Sequence, residues 1–248
     1  MKYMGSKNRI AKEILPIMLS LRKPNQWWVE PFVGGGNMID KVTGNRLGAD
    51  ANHYAIEALT AIRDNVNELP KNNKEFTEAD YKALRKSDSY KFKGYAGFAF
   101  SFIARWLSGW CRCKTNRDRD YVKEAYNNAI CQSPLLQGVK LVVSSYLDLE
   151  IPDNSLIYCD PPYEGTTKYK ADINHSVFWQ WCRDKVKQGH TLFVSEYNAP
   201  DDFVCVWERE INNNLKDTTS TERLFIHKDN LEHFTISQTK NVNILDLF

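Results

Sequence analysis

The chain has 248 residues and a nearly balanced charge of +2, with 42% hydrophobic and 26% charged residues. This composition is typical of a soluble globular enzyme with one large α/β domain and a modest insertion. No apolar run approaches the roughly 20 residues that span a bilayer, and no signal-peptide segment opens the chain, so we expect a cytoplasmic protein. The six cysteines form no Cys-x-x-Cys pair and have no matching His cluster, so we expect free thiols and no metal site.

Predicted helices and strands alternate along most of the chain. Apolar residues at helical spacing predict helices at 8–20, from about 37, at 53–68 and at 176–187. Short apolar runs predict strands at 27–30, 47–50, 139–144, 155–159, 191–195, 204–207, 223–226 and 243–247. This alternation favours an α/β fold with a largely parallel, doubly wound sheet.

The segment 70–135 breaks the alternation, because its pattern is mostly helical, polar and irregular. We therefore predict a catalytic domain formed by 1–69 and 136–248, with 70–135 as an inserted recognition region. Residues 85–125 contain ten Lys or Arg and four acids, a net charge of +6, interleaved with aromatic residues such as Trp106 and Trp110. Such a mixture suits a surface that meets phosphates and bases. An amphipathic helical region with a solvated basic face remains an alternative.

A glycine-rich turn follows the first predicted strand, in Glu30-Pro-Phe-Val-Gly34-Gly-Gly36. Glycines there let the backbone approach a cofactor and adopt a positive φ. Gly34 and Gly36 fit the first two positions of a dinucleotide fingerprint, but Ile39 occupies the third. Asp50 ends the next predicted strand, where an acid can accept hydrogen bonds from both ribose hydroxyls of an adenosine-containing cofactor. A simple structural turn remains an alternative.

The most informative segment is Asp160-Pro161-Pro162-Tyr163, which directly follows the predicted buried strand 155–159. Open α/β sheets place their ligands at the carboxyl ends of their strands. The two prolines remove two amide donors, which leaves the Asp160 carboxylate and the Pro161 carbonyl as acceptors. Two acceptors aimed at one point suit an NH₂ group, and the Tyr163 ring offers a face for a stacked base. A Pro-Pro turn with a capping Asp is the alternative.

Three segments resemble the DNA adenine methyltransferase family, the Dam-like group. They are Tyr3-Met-Gly-Ser-Lys7, Glu30–Gly36 and Asp160–Tyr163, which match the family's amino-terminal segment, cofactor loop and catalytic tetrapeptide in the order of its alpha group. The resemblance implies a Rossmann-like, S-adenosylmethionine-dependent methyltransferase with a DNA-recognition insert. It also implies methylation of adenine N6 in double-stranded DNA by a monomer or weak homodimer, with S-adenosylhomocysteine as the product and no metal.

The resemblance also implies roles for individual residues. Lys7 would pair with the cofactor's carboxylate, Tyr3 would pack beside the cofactor, and Glu30 would belong to its loop. Asp50 would hold the ribose, and Asp160 would lie between the cofactor and the target amine. A solvated lysine at a helix start and an amino-terminal core contact are the alternatives for Lys7 and Tyr3.

Ser108-Gly109-Trp110-Cys111-Arg112 resembles the family's hairpin that enters DNA beside the target site, and Lys114 follows it. The family's usual Asn before Gly is Ser108 here, so no sequence preference can be carried over. Trp110 as a core residue and Arg112 as a phosphate contact remain open. Lys168, Tyr169 and Lys170 follow the tetrapeptide and could form a loop that closes over DNA, and a mobile solvated loop is the alternative.

Other functions are open to the same residues. Cytosine-N4 methylation uses similar amine chemistry, although related enzymes often carry Ser in place of Asp160. RNA or protein amide-nitrogen methyltransferases usually have Asn there and lack the Lys7 segment. A catalytically idle DNA-binding regulator could retain the fold. A nicotinamide oxidoreductase is disfavoured by the missing third glycine.

Overall fold

A computed structural model of the chain describes residues 1–112, 119–164, 173–213 and 218–231. By its internal contacts the chain divides into two compact units, Met1–Arg9 with Val33–Tyr146, and Ile10–Phe32 with Leu147–Phe248. The predicted insert, 70–135, falls wholly within the first unit, and its role in recognition remains a prediction. Lys114, residues 168–170 and the predicted strand 243–247 lie outside the described residues.

The described residues of the first unit contain two parallel strands and four α-helices. Strand β2 (Arg46–Asp50) pairs in parallel with β3 (Val139–Val143). The helices are α2 (His53–Asp64), α3 (Glu78–Leu84), α4 (Lys93–Ala99) and α5 (Tyr121–Leu136). Side-chain caps begin several of them: Asn52 accepts the Tyr54 N–H of α2 at 3.1 Å, and Asp120 accepts the Lys123 N–H of α5 at 2.8 Å. Such caps satisfy backbone donors that a helix start leaves unpaired.

Where the structure describes it, the second unit has two α-helices, α1 (Ala11–Leu19) and α6 (His175–Lys187), and five strands. The strands are β1 (Trp28–Glu30), β4 (Leu156–Cys159), β5 (Thr191–Glu196), β6 (Phe203–Asn213) and β7 (Thr218–His227). They lie side by side in the order β1-β4-β5-β7-β6. The pairs β1–β4 and β4–β5 are parallel, whereas β5–β7 and β6–β7 are antiparallel.

The predicted α/β class is confirmed, and β1 to β5 agree with the predicted strands to within one residue at each end. Strands β6 and β7 extend well beyond the predicted 204–207 and 223–226. Strands β1 and β4 are buried along their whole length, as their apolar sequences predict for strands covered on both faces. The sheet is less uniformly parallel than predicted, because the long hairpin β6–β7 returns antiparallel beside β5. A hairpin needs only a short connection, whereas another parallel strand needs a crossover.

The helix predicted from about residue 37 is wrong. The chain forms only a 3₁₀ turn there, Ile39–Lys41, with Lys41 N–H donating to the Met38 carbonyl at 3.0 Å. The Lys41 ammonium donates to the Asn37 carbonyl at 2.6 Å, and the extended backbone of Val42, at φ −103° and ψ 143°, ends the turn. Gly44, at φ +79°, then turns the chain towards β2.

Candidate active site

The glycine-rich turn after β1 has the backbone conformation that its sequence predicts. Gly34 and Gly36 have φ values of +47° and +66°, a region that side-chain-bearing residues rarely adopt. A Cβ at Gly34 would lie 2.9 Å from Cε1 of Tyr3, and one at Gly35 would lie 2.6 Å from Cβ of Tyr3. The Tyr3 ring therefore packs directly on the turn, and a side chain at either glycine would displace it.

Asp50 ends β2 and is tied to this turn. Its Oδ2 accepts the Gly34 N–H at 3.0 Å, and its Oδ1 accepts the Asn52 N–H at 2.9 Å. Burial raises the pKa of the Asp50 carboxyl, and these two backbone donors oppose that rise. A carboxylate oxygen can accept more than one hydrogen bond. The Asp50 carboxylate, which already accepts two backbone N–H groups, can therefore also accept the two hydroxyls of a ribose.

Lys7 is buried, which contradicts its alternative interpretation as a solvated lysine. It lies in a 3₁₀ turn, Lys7–Arg9, with 8% of its surface exposed. Its ammonium donates to the Gly5 carbonyl at 3.4 Å. An ammonium has three donors, and burial favours a charge-assisted partner such as a carboxylate. Tyr3, the Gly turn, Asp50 and Lys7 all belong to the first unit.

Glu30 closes β1 in the second unit and is 3% exposed. Its Oε1 accepts the indole N–H of Trp28 at 2.7 Å. Trp28 in turn packs against Tyr158 of β4, with ring centroids 6.1 Å apart. Glu30 therefore joins the core of β1 to β4, and its predicted part in cofactor binding remains a prediction.

The tetrapeptide Asp160–Tyr163 begins one residue beyond β4, as predicted. Strand β4 lies between β1 and β5, and Tyr158 near its end shares a hydrogen bond with the Ser195 hydroxyl of β5 at 2.8 Å. Pro161 is buried, and Asp160 is partly exposed. A rigid, buried strand thus delivers a partly exposed carboxylate to its carboxyl end.

Tyr163 is held by two residues that are distant in sequence. Its hydroxyl donates to Oε2 of Glu222 on β7 at 2.7 Å. Its ring meets the Tyr197 ring edge-on, with centroids 4.6 Å apart at 80°. Burial raises the pKa of Tyr163 well above its usual value, and the nearby Asp160 and Glu222 carboxylates raise it further. The phenol is therefore neutral at physiological pH and serves as a donor.

Glu196 was missed by the sequence analysis. It is the last residue of β5 and is 2% exposed. Its carboxylate accepts the Tyr197 N–H at 2.7 Å and the Glu164 N–H at 3.2 Å. Burial raises the pKa of Glu196 to about 7, and the Asp160 and Glu164 carboxylates add to the rise. The available signal was its position, because an acid directly follows the predicted strand 191–195, much as Asp50 ends the predicted strand 47–50.

The hairpin region of the insert has a strained backbone. Ile103, Ala104 and Leu107 have positive φ values of 51°, 54° and 44°. Such conformations cost about 1–3 kcal/mol each and persist only where the surroundings enforce them. Trp110 pairs with Ser101 in an isolated antiparallel bridge, which closes the hairpin.

Trp110 and Arg112, the two described residues predicted to contact DNA, have different environments. Trp110 is half-buried, and its ring lies 5.6 Å from that of Tyr81. Arg112 is paired with Glu78 at 2.5 Å, and its side chain is 67% exposed. Both line an open pocket of about 310 Å³, together with Arg85. Trp110 thus has a packing role within the insert, whereas Arg112 is accessible from solvent.

The described part of the chain contains neither a cluster of metal-ligand residues nor a membrane-spanning helix. Among the ranges that the structure describes, no group of three or more His, Cys, Asp or Glu side chains is arranged to hold a metal ion. No helix within those same ranges combines the length and the apolar character that crossing a membrane requires.

Comparison with known proteins gives one strong match and several weaker ones. Residues 3–189 match the family model of D12 class N6 adenine-specific DNA methyltransferases. The type II methyltransferase M.FokI of Planomicrobium okeanokoites is 24% identical, over 74% of this chain and 31% of that protein. This chain therefore spans about a third of that relative's length.

Solved structures with some similarity include a conserved hypothetical protein of Streptococcus pyogenes, at 10% identity and a TM-score of 0.41, covering 90% of this chain and 96% of that one. Another is SMU.472 in complex with SAH, at 11% identity and a TM-score of 0.37, covering 91% of this chain and 54% of that one. The family model spans about three quarters of the 248 residues, including the N-terminal segment, the glycine-rich turn and the tetrapeptide. The chain belongs to the D12 class of N6 adenine-specific DNA methyltransferases.

Proposed function

We propose that this protein methylates N6 of adenine in double-stranded DNA with S-adenosylmethionine as the methyl donor. The observation that carries the proposal is the tetrapeptide Asp160–Tyr163 at the end of buried β4, within a chain that matches the adenine-specific family over residues 3–189. Monomer or weak homodimer is the state we propose for the active protein.

The first unit has groups that fit the cofactor. S-adenosylmethionine supplies an electrophilic methyl group when it is bound. Asp50 would accept hydrogen bonds from the ribose hydroxyls, since its carboxylate is already held at the end of β2 by the Gly34 and Asn52 N–H groups. The buried Lys7 ammonium would pair with the amino-acid carboxylate. Tyr3, packed on the Gly turn, would lie beside the cofactor.

The tetrapeptide would hold the target amine. The Asp160 carboxylate and the Pro161 carbonyl would each accept one N–H of the adenine NH₂ group, which orients the nitrogen lone pair. The nitrogen would then form a bond to the methyl carbon as the carbon–sulfur bond breaks, and the sulfur would keep that electron pair. The proton lost from the methylated amine would leave to solvent. Asp160 would stabilise the positive charge that develops on nitrogen.

The target base must leave the helix for this reaction, because its amine is otherwise unreachable for in-line attack. Tyr163 would provide the face on which the extruded adenine stacks. Its hydroxyl bond to Glu222 and its edge-on contact with Tyr197 support this role, because both restrain the ring. The insert 70–135 would hold the flanking DNA, with Arg112, Lys114 and Trp110 as its contact residues.

The decisive test is methyl transfer from labelled S-adenosylmethionine to unmethylated duplex DNA of mixed sequence, followed by digestion and nucleoside chromatography. We expect label in N6-methyladenine, and we expect Asp160→Ala to lose it. Asp201→Ala is the matched control, since this acid is exposed in the same unit. Full activity of Asp160→Ala would refute the assignment. Label in N4-methylcytosine or in RNA would favour those substrates, and cofactor binding without turnover would favour an idle regulator.

A further inference from the structure

The Glu196 carboxylate bridges two backbone segments beside the tetrapeptide. Its Oε1 accepts the N–H of Tyr197, the next residue, at 2.7 Å. Its Oε2 accepts the N–H of Glu164, 32 residues away, at 3.2 Å. With 2% of its surface exposed, Glu196 makes these bonds away from water, where they are stronger.

The hydrogen bond from the Glu164 N–H to Glu196 fixes the end of the tetrapeptide, which has few backbone N–H donors of its own. Pro161 and Pro162 have no N–H, so the middle of the tetrapeptide cannot be held through backbone donors. Glu164 is the first residue after the tetrapeptide, and its N–H is anchored to the end of β5 by Glu196. The tetrapeptide is therefore held by β4 at its start and, through the Glu164 N–H, by Glu196 at its end.

The hydrogen bond from the Tyr197 N–H to Glu196 also supports the tetrapeptide, because Tyr197 contacts Tyr163. The Tyr197 ring meets the Tyr163 ring edge-on, with centroids 4.6 Å apart. Edge-on aromatic pairs at this distance are attractive and directional. By fixing the Tyr197 backbone, Glu196 also fixes the ring that supports Tyr163.

Several charged groups face Glu196. The Asp160 and Glu164 carboxylates, both beyond β4, disfavour its ionised form. His175, at the start of α6, places Nδ1 3.9 Å from Oε2, too far for a hydrogen bond. Within the described part of the chain, this buried Nδ1 has no hydrogen-bond partner.

On β7, Arg223 is the register partner of Glu196. Its guanidinium donates to the Tyr197 carbonyl at 2.5 Å and to Glu208 at 3.1 Å. The Tyr197 backbone is thus held through both its N–H and its carbonyl. Burial, the largest effect, raises the pKa of Glu196 to about 7, so its charge changes within the physiological range.

We propose that Glu196 is a positioning residue for methyl transfer: it aligns Asp160 and Tyr163 on the target adenine by holding the Glu164 and Tyr197 N–H groups, without touching the substrate. This inference rests on the proposed function. Its ionised form has two equivalent acceptor oxygens for the two donors, whereas the protonated form keeps one full and one weaker acceptor, so we expect the alignment to be better when Glu196 is deprotonated.

The first test compares Glu196→Gln and Glu196→Ala with the wild type. Glutamine has one acceptor oxygen and loses one of the two bonds, whereas alanine loses both. We expect kcat to fall about fivefold in Glu196→Gln and further in Glu196→Ala, since each bond is worth about 1 kcal/mol, which is about fivefold in rate. KM for DNA and for the cofactor should change less than about twofold, because no substrate contact is lost. Glu210→Gln, an exposed change on β6, is the control and should leave both constants unchanged.

The second test is the pH dependence of kcat. If the role of Glu196 were purely structural, its titration would not change kcat. The wild type should gain activity as pH rises through about 7, the pKa of Glu196, and Glu196→Gln should lack this limb. The wild-type profile tests the inference even if the variants do not fold, since a flat kcat between pH 6 and 8 would overturn it.

The outcomes separate this inference from the proposed function. A wild-type protein that transfers no methyl group to DNA overturns both. An active wild type with an unaffected Glu196→Gln, or with the pH limb retained in that variant, overturns only the role of Glu196. A rise in KM at constant kcat would also overturn it, because that result indicates a direct substrate contact.

Discussion

The Asp50 carboxylate accepts the Gly34 N–H at 3.0 Å, so the acid at the end of β2 and the glycine-rich turn form one hydrogen-bonded unit. The Val33 N–H, which donates to the Ala49 carbonyl at 2.8 Å, reinforces this connection. A change in either Asp50 or Gly34 therefore affects the position of the other. The two belong to the region to which we assign the cofactor.

Asp50→Asn should weaken cofactor binding about tenfold to a hundredfold. The amide keeps the shape of the side chain but has one acceptor oxygen and no charge, and charge-assisted hydrogen bonds contribute about 1.5–3 kcal/mol. Titration calorimetry with S-adenosylhomocysteine measures the loss. Asp64→Asn is the control, because Asp64 forms only a local pair with Arg63 at 2.7 Å. Equal affinity of Asp50→Asn and the wild type would remove Asp50 from the cofactor site.

Gly34→Ala should destabilise the protein by about 1–3 kcal/mol and weaken cofactor binding. The new methyl group would meet the Tyr3 ring at 2.9 Å, in a backbone conformation that alanine disfavours. Gly138→Ala separates the two causes, because Gly138 also has a positive φ, +75°, but has no atom within 4 Å of a Cβ. Urea unfolding should show the larger loss for Gly34→Ala. Equal losses would mean that crowding by Tyr3 contributes nothing.

Glu196 should make stability depend on pH. Its pKa is about 7 in the folded protein and about 4.5 when exposed, so the folded state binds the proton more tightly. This stabilisation is complete below the unfolded pKa and is lost as pH rises from about 4.5 to 7. Relative to Glu196→Gln, the wild type should lose up to about 3 kcal/mol between pH 4.5 and 8. Unfolding by urea across this range, with Glu210→Gln as the control, measures the difference. A constant difference between Glu196→Gln and the wild type would show that the glutamate is not buried as a neutral acid.

Glu78→Gln should strengthen DNA binding by a few fold at low salt. Arg112, paired with Glu78 at 2.5 Å, and Lys82 hold the pKa of Glu78 at about 2, so this acid is ionised at neutral pH. Its removal frees Arg112 and adds one unit of positive charge to the insert. Fluorescence anisotropy over a salt series measures the effect. Arg112→Ala should weaken DNA binding and reduce its salt dependence. Glu13→Gln is the control, because it makes the same change of charge in the second unit and should leave DNA affinity unchanged. Unchanged DNA affinity in both Glu78→Gln and Arg112→Ala would exclude this surface.

The sequence alone was sufficient to predict the local structure of two short segments of the proposed site. The glycines at 34 and 36 allow a positive φ, and the structure has it at both positions. The tetrapeptide Asp160–Tyr163 follows a strand whose four residues are all buried, as its apolar sequence predicts. These features are local, because backbone conformation and strand burial depend on neighbouring residues and on apolar content. The helix predicted from residue 37 is wrong, because only the 3₁₀ turn Ile39–Lys41 forms before the extended backbone of Val42 ends it.

The residues around Tyr163 were decided only by the tertiary structure. Glu222 and Tyr197 lie 59 and 34 residues from it in sequence, and no local pattern relates them. The same is true of Glu196, whose bond to Glu164 depends on the pairing of β4 with β5. Strand pairing brings together residues that are far apart along the chain, and it is fixed by the burial of whole strands. The sequence by itself thus determined the local structure of the segments to which we assign the chemistry, and the folded sheet determined which residues hold them in place.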